Sequence, residues 1–183
     1  MITATTRLVA LLGHPVDHSL SPRMQNAAFA ARALDWAYVA CDVDPGALPA
    51  AVDGLRGLGF AGANVTIPHK GAVAELCDEL DELARRSGAV NTLVFRDGRT
   101  VGANTDGPAV AGALAARGAR VLVLGRGGAA RAVAVALEDA GAASVRPASR
   151  RDADWPPPAG DATILVNATP LRDEIPVAPH AHQ

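Results

Sequence analysis

The segment Val121-Leu-Val-Leu-Gly125-Arg-Gly127-Gly128-Ala129-Ala130 passes from a wholly apolar run through a glycine-rich turn into a helix-forming stretch. A short run that is apolar at every position suits a strand covered on both faces, the kind found in parallel sheets flanked by helices. The spacing is G-x-G-x-x-A. Gly125 permits a tight turn, Gly127 lets backbone approach a pyrophosphate, and Ala130 allows close packing of helix on strand. The N–H groups around Gly128 and Ala129, at the start of the helix, would face phosphate oxygens with the helix dipole behind them. A glycine turn with a purely structural role is the competing reading, because one such motif is weak on its own.

The rest of the chain alternates short apolar runs with amphipathic stretches, which favours an α/β fold with parallel strands. Strands are expected over 8–12, 36–43, 63–67, 121–124 and 164–166. A hairpin is expected from 89–96 and 99–103 around Asp97-Gly98, a strong turn signal. Ser21-Pro22 should open a helix to about 33, with serine as the cap and proline in the first turn. Leu48, Val52 and Leu55 mark a helix over 47–58. Further helices should begin at Pro68 and at Asp106, the latter ending near 117, and one should follow the glycine turn to about 140, where Gly141 suits the position just past its end. Trp155 to Pro158 reads as a proline-rich loop.

Composition narrows the partners. The chain has 183 residues, is 49% apolar and carries a formal net charge of −2. That balance gives no reason to expect nucleic acid or an anionic membrane surface. No apolar run reaches the ~20 residues of a membrane span, and no long apolar stretch at the start reads as a secretory signal. A cytoplasmic location is the default expectation. Aromatics are 3% of the residues, so alanine, valine and leucine must fill the core. Cys41 and Cys77 lack CxxC spacing and read as small buried apolar residues. His14 and His69 read as structural histidines, and no Cys/His or His/carboxylate spacing suggests a metal.

Cofactor choice should be set after the glycine turn. An NAD site places an acidic residue about 20 residues on, against the ribose hydroxyls. Here Ser149-Arg150-Arg151 stands in that region, with Asp152 behind it. Two arginines beside a serine can pair with a 2′-phosphate, which favours NADP(H). A solvated basic turn is the alternative.

Four polar strings precede the glycine turn: Ser19-Leu-Ser21-Pro, Asn64-Val-Thr66-Ile-Pro-His-Lys70, Asn91-Thr92 and Asn104-Thr-Asp106. Each falls at a strand end or a helix start, where open α/β sheets bind ligands. Together they offer hydroxyls, amides, an ammonium and a carboxylate, a set suited to a small, hydroxyl-rich, anionic molecule. Lys70 is the leading chemical group, because an ammonium tuned by burial and a neighbouring carboxylate can give or take a proton. Asp106 is its natural partner. Taken singly, Lys70 reads equally as a surface residue and Asp106 as a helix cap.

In this order and spacing, S-L-S-P, N-V-T-I-P-H-K, G-A-V-N-T, N-T-D-G and G-x-G-G-A-A-R-A resemble the shikimate dehydrogenases, over about 8–140 and more weakly to Asn167-Ala-Thr169-Pro. The resemblance implies an N-terminal α/β substrate-binding domain, 1–105, and an incomplete Rossmann-type NADP-binding domain, 106–183. It implies reversible NADP-dependent reduction of 3-dehydroshikimate to shikimate, on the route to chorismate and aromatic amino acids. It implies that Ser19 and Ser21 bind the substrate carboxylate, that Thr66, Asn91 and Asp106 bind ring hydroxyls, and that Asn64 shapes the pocket. Lys70 and Asp106 would be the catalytic pair. Gly125, Gly127, Gly128, Ala129 and Ala130 would hold the pyrophosphate, Ser149, Arg150 and Arg151 the adenosine 2′-phosphate, and Thr169 would lie near the nicotinamide.

Three departures from that family are visible. The chain is read as C-terminally truncated, without the family's glutamine-bearing segment. The stretch from Arg150 to Asp161 holds Trp155-Pro-Pro-Pro158 where a helix is usual. Leu171-Arg172-Asp173 replaces Leu-Gly-Met, and Arg126 stands where the glycine turn commonly has alanine. A shortened sheet is expected to expose an edge and part of an apolar face, to be less stable than the first half, and to leave a homodimer open. Two other functions stay open: a truncated, non-catalytic shikimate-binding protein, and a quinate/shikimate dehydrogenase using NAD.

Overall fold

The computed structural model describes residues 2–171 and 175–178; Arg172 and Asp173, which depart from the family pattern, lie outside the described residues. The chain divides into two compact units. One is made of residues 1–85 and 89–104, the other of 86–88 and 105–183.

The first unit is built on a mixed sheet of strands β1 (Arg7–Gly13), β2 (Trp36–Asp42), β3 (Gly62–Val65), β4 (Glu79–Leu80), β5 (Thr92–Arg96) and β6 (Arg99–Ala103). Their order is β2-β1-β3-β5-β6-β4. β1 runs parallel to β2 and β3, while β5 is antiparallel to both β3 and β6. Side-chain alternation sends Ala10 and Leu12 of β1 to one face, where they join Leu48, Val52 and Leu55 of helix α2 (Leu48–Gly57). It sends Val9 and Leu11 to the other face with Tyr38, Val16 and Phe29 of helix α1 (Ser21–Ala31). Each fully buried leucine in the first cluster stabilises the unit by ~1.5–3 kcal/mol relative to an exposed one.

The β5–β6 hairpin turns at Asp97-Gly98 as expected, with both residues at positive φ (53° and 74°), the geometry of a type I′ turn. Two expectations need correction, and two elements come unannounced. Ser21 is the first helical residue and not the cap; the Ser19 hydroxyl accepts the Ser21 N–H at 3.3 Å instead. Pro68 opens no helix. His69 N–H closes a tight turn onto Thr66 O at 2.9 Å, and a 3-10 turn follows at Ala72–Leu76. Short helix α3 (Glu82–Ser87) and strand β4 carry no signal in the sequence pattern and were not expected.

The second unit holds helix α4 (Asp106–Ala113), strand β7 (Arg120–Leu124), helix α5 (Gly128–Asp139), strand β8 (Ser144–Ala148) and strand β9 (Ile164–Asn167). The three strands are parallel in the order β8-β7-β9. α4 ends short of Arg117 because Leu114 turns to extended backbone (φ −117°, ψ 143°). Val121, Val123, Ala130, Val133 and Leu137 form the core on the helix side. Leu122 and Leu124 point to the opposite face and are fully buried there with Ala148 against Trp155, Ala162 and Val177. That face is covered over β7, while Leu165 of β9, in register with Leu122 on the same face, is 40% exposed, so part of an apolar face stays open as expected. The proline-rich loop does the covering, and Ala178 N–H donates to Pro157 O at 2.9 Å.

Candidate active site

In the first unit the polar strings follow or precede strands that meet at one end of the sheet. β1 and β3 both end there, β5 begins there because it runs the opposite way, and β6 ends there beside it. Ser19 and Ser21 lie past the end of β1, Asn64 sits within β3 with Thr66 and Lys70 following it, and Asn91 immediately precedes β5. Thr66 N–H donates to Leu12 O at 2.8 Å, which holds Thr66 over the end of β1. A side chain on Gly13 would run into the Thr66 methyl group, so the absence of one gives Thr66 its place. Val90 N–H donates to Lys70 O at 2.8 Å, and Asn91 N–H to Ala103 O at 3.0 Å. The Lys70 backbone is thereby fixed beside Asn91, and the Asn91 backbone beside the end of β6. Lys70, Thr66, Ser19 and Ser21 are half-buried, and Asn91 is buried.

Asn64 is the hub of this end of the sheet. Its Nδ2 donates to Thr92 Oγ1 at 3.3 Å and to Asn91 O at 3.4 Å, while its Oδ1 accepts the Tyr38 hydroxyl at 2.8 Å. Thr92 Oγ1 in turn donates to Asn91 Oδ1 at 3.0 Å. Tyr38 is buried, and burial pushes its phenol up to about 12. Asn26 of α1 grips the same tyrosine's backbone twice: Tyr38 N–H donates to Asn26 Oδ1 at 2.8 Å, and Asn26 Nδ2 donates to Tyr38 O at 2.9 Å. These two bonds seat the helix that begins at Ser21. Neither Tyr38 nor Asn26 is visible as a site residue in the sequence. A tyrosine in an apolar strand reads as core, and its only signal is the rule that a buried phenol finds a partner.

The two histidines behave as expected of structural groups. His69 is buried and its Nε2 lies 2.8 Å from Val43 O. His14 Nδ1 is 2.6 Å from Asp42 Oδ1. Among the described residues no cluster of His, Cys, Asp or Glu could hold a metal ion. Burial pushes both thiols up, Cys77 to about 11 with help from the Asp78 charge.

In the second unit Asp106 is half-buried and is the first residue of α4, with Thr105 at the cap position. The glycine turn joins β7 to α5. Gly125 has φ +118°, and a Cβ there would stand 3.1 Å from Ala168 O, so only glycine makes this turn without strain. A Cβ on Gly127 would meet nothing within 4 Å. Ala130 is buried, its Cβ 3.5 Å from where a Gly125 Cβ would be. The first N–H groups of α5 have no partner within the helix. A tight turn, an open approach at Gly127 and a helix start with donors are what a pyrophosphate needs, so these residues fit a dinucleotide.

Beyond β8, Ser149 N–H donates to Asp152 Oδ2 at 2.8 Å, and Arg151 N–H to Ser149 Oγ at 3.3 Å. Arg150 and Arg151 are exposed. Arg126, read from sequence as a departure within the glycine turn, has its Nη2 3.1 Å from Asp152 Oδ2. At the end of β9, Thr169 Oγ1 donates to Asn167 Oδ1 at 2.6 Å and accepts Leu171 N–H at 3.2 Å, a small closed turn.

A mixed-sheet unit with polar groups at one end of its strands, followed in the chain by a parallel-sheet unit with a G-x-G-x-x-A turn, is the architecture of a two-unit α/β dehydrogenase. The family model described as the shikimate dehydrogenase substrate binding domain matches residues 11–93. A shikimate dehydrogenase (NADP(+)) of Moorella thermoacetica is 53% identical over 154 residues, 81% of this chain and 52% of its own. The crystal structure of shikimate dehydrogenase from Aquifex aeolicus superposes with TM-score 0.84 at 33% identity, over 96% of this chain and 74% of that one. That of shikimate 5-dehydrogenase from Thermus thermophilus, in complex with NADP(H) and shikimate, gives TM-score 0.76 at 37% identity, over 90% and 69%. The chain belongs to the shikimate dehydrogenase family. It spans about half the length of the curated relatives it matches.

Proposed function

We propose that this chain carries out the reversible, NADP-dependent reduction of 3-dehydroshikimate to shikimate, in the route to chorismate. The observation that supports it most is that Asn64, Thr66, Lys70 and Asn91 fall at one end of the central strands of the first sheet, with Ser19 and Ser21 in the segment that follows β1. Their hydroxyls, amides and ammonium are the donors a small polyhydroxy acid requires.

In this reading the Ser19 and Ser21 hydroxyls take the substrate carboxylate, Thr66, Asn91 and Asp106 take ring hydroxyls, and Asn64 holds the shape of the pocket. Lys70 is the proton-handling group. As the ketone is reduced its oxygen gains negative charge, which an ammonium stabilises and to which it can pass a proton. Asp106, a half-buried carboxylate, would be the other member of the catalytic pair. NADP(H), when bound, supplies or accepts the hydride. Gly125 to Ala130 would hold its pyrophosphate, Ser149, Arg150 and Arg151 its 2′-phosphate, and Thr169 would border the nicotinamide. No helix among the described residues is long and apolar enough to cross a membrane. A small-molecule partner, a cytoplasmic location and self-association as a homodimer belong to the same proposal.

The test is to give the full chain shikimate and NADP⁺ and follow the absorbance of reduced nicotinamide. Turnover is expected, and Lys70→Ala should reduce it by roughly 10²–10⁴-fold, the usual worth of a positioned acid–base group. Shikimate binding without turnover would point instead to a non-catalytic binding protein. Faster turnover with quinate and NAD⁺ would point to the sibling dehydrogenase.

A further inference from the structure

Three residues of the second unit form a cluster that the proposed reaction does not by itself explain. Arg126 sits between the two glycines of the β7–α5 turn, while Ser149 and Asp152 lie in the turn after β8. Asp152 Oδ2 is shared: it is 3.1 Å from Arg126 Nη2 and accepts the Ser149 N–H at 2.8 Å. Asp152 Oδ1 is also reached by the Ser149 hydroxyl at 3.4 Å. Gly125 N–H donates to Ala148 O at 2.7 Å, so the glycine turn and the end of β8 are fixed side by side. The Asp152 side chain is only 22% exposed, and Arg126 is its cationic neighbour.

The place matters because the carboxyl end of the second strand of a nucleotide-binding sheet is where the adenosine ribose is read. A carboxylate there accepts ribose hydroxyls and repels a 2′-phosphate. Asp152 would therefore work against the cationic Arg150 and Arg151 unless its charge were cancelled.

We propose that Arg126 cancels the Asp152 charge and so sets the chain's preference for a 2′-phosphorylated dinucleotide over one with a free ribose. Asp152 keeps its structural task, ordering the turn through the Ser149 N–H, while Arg126 keeps its charge from being felt by the ligand. The pair is a specificity device and takes no part in hydride transfer. It rests on the reading of this unit as a dinucleotide site.

Calorimetric titration of the full chain with NADP⁺ and with NAD⁺ tests it. In Arg126→Ala, NADP⁺ affinity should fall roughly tenfold, the worth of one charge-assisted interaction, with NAD⁺ affinity unchanged or higher. In the double variant Arg126→Ala/Asp152→Asn, NADP⁺ affinity should largely return, because the introduced amide oxygen still accepts the Ser149 N–H but carries no charge. Equal losses for both dinucleotides in Arg126→Ala, or no recovery in the double variant, would overturn the proposal and leave the nucleotide site standing. Failure of the unaltered chain to bind either dinucleotide would overturn both.

Discussion

The Tyr38 hydroxyl donates to Asn64 Oδ1 at 2.8 Å, so a residue of the edge strand β2 reaches over β1 to hold the side chain at the hub of the candidate site. Tyr38→Phe keeps the ring in its buried place and removes only that bond. The fold should survive, with a loss of about 1 kcal/mol of stability. Asn64 should lose its fixed orientation, and shikimate affinity should fall severalfold in a calorimetric titration. Unchanged affinity would show that Asn64 is held well enough by Asn91 and Thr92 alone.

Alkaline pH should weaken the first unit. Burial raises the Tyr38 phenol from its ordinary 10 to about 12, and the Cys77 thiol from 9 to about 11. Both groups hold their protons more tightly folded than unfolded. Their contribution to stability is therefore full below about pH 9 and is lost as pH rises through 10 to 12. Thermal unfolding followed between about pH 8 and pH 12 should show the midpoint falling over that range, less steeply in Tyr38→Phe. The same burial predicts slow reaction of both thiols with a disulfide reagent at neutral pH, and rapid reaction in denaturant.

Gly125→Ala places a methyl group where φ is +118° and Ala168 O is 3.1 Å away. The second unit should lose ~1–3 kcal/mol, the cost of a strained backbone position. Dinucleotide binding should weaken with it, and shikimate binding should not. Separate thermal and titration measurements on one variant distinguish the two.

Trp155 packs over Leu122 and Leu124 on the face opposite the helices. Trp155→Ala should uncover that face. The loss should be smaller than the ~3–5 kcal/mol of a fully buried tryptophan, because Trp155 is half-buried. Hydrogen exchange of β7 and β9 should accelerate, with β1 and β3 unaffected.

The legible parts of the sequence are those where local chemistry and burial agree. Leu8 to Leu12, Val121 to Leu124 and the Asp97-Gly98 hairpin fold as their patterns predict, because an apolar run or a positive-φ pair leaves few alternatives. β8 is hidden because it contains Arg146-Pro147, which reads as loop; a proline is tolerated there because β8 is an edge strand. α3 is hidden because its six residues, Glu82 to Ser87, are too few to show a helical period, half of them are charged, and only Ala84 and Ser87 are buried. The candidate site residues can be named from their motifs. Their supports, Asn26 and Tyr38, cannot, because a bond between a helix asparagine and a strand backbone leaves no periodic trace. The Arg126–Asp152 pair is hidden for the same reason: 26 positions of chain separate two charges that each read as solvated.

The most direct test is calorimetric titration of shikimate into the full chain and into a Ser19→Ala/Ser21→Ala variant. The unaltered chain should bind one shikimate per chain. The variant, lacking two hydroxyl donors to the carboxylate, should bind roughly 100-fold more weakly with its thermal midpoint preserved. No binding to the unaltered chain, or equal binding to both, would contradict the assignment of this end of the sheet as the substrate site.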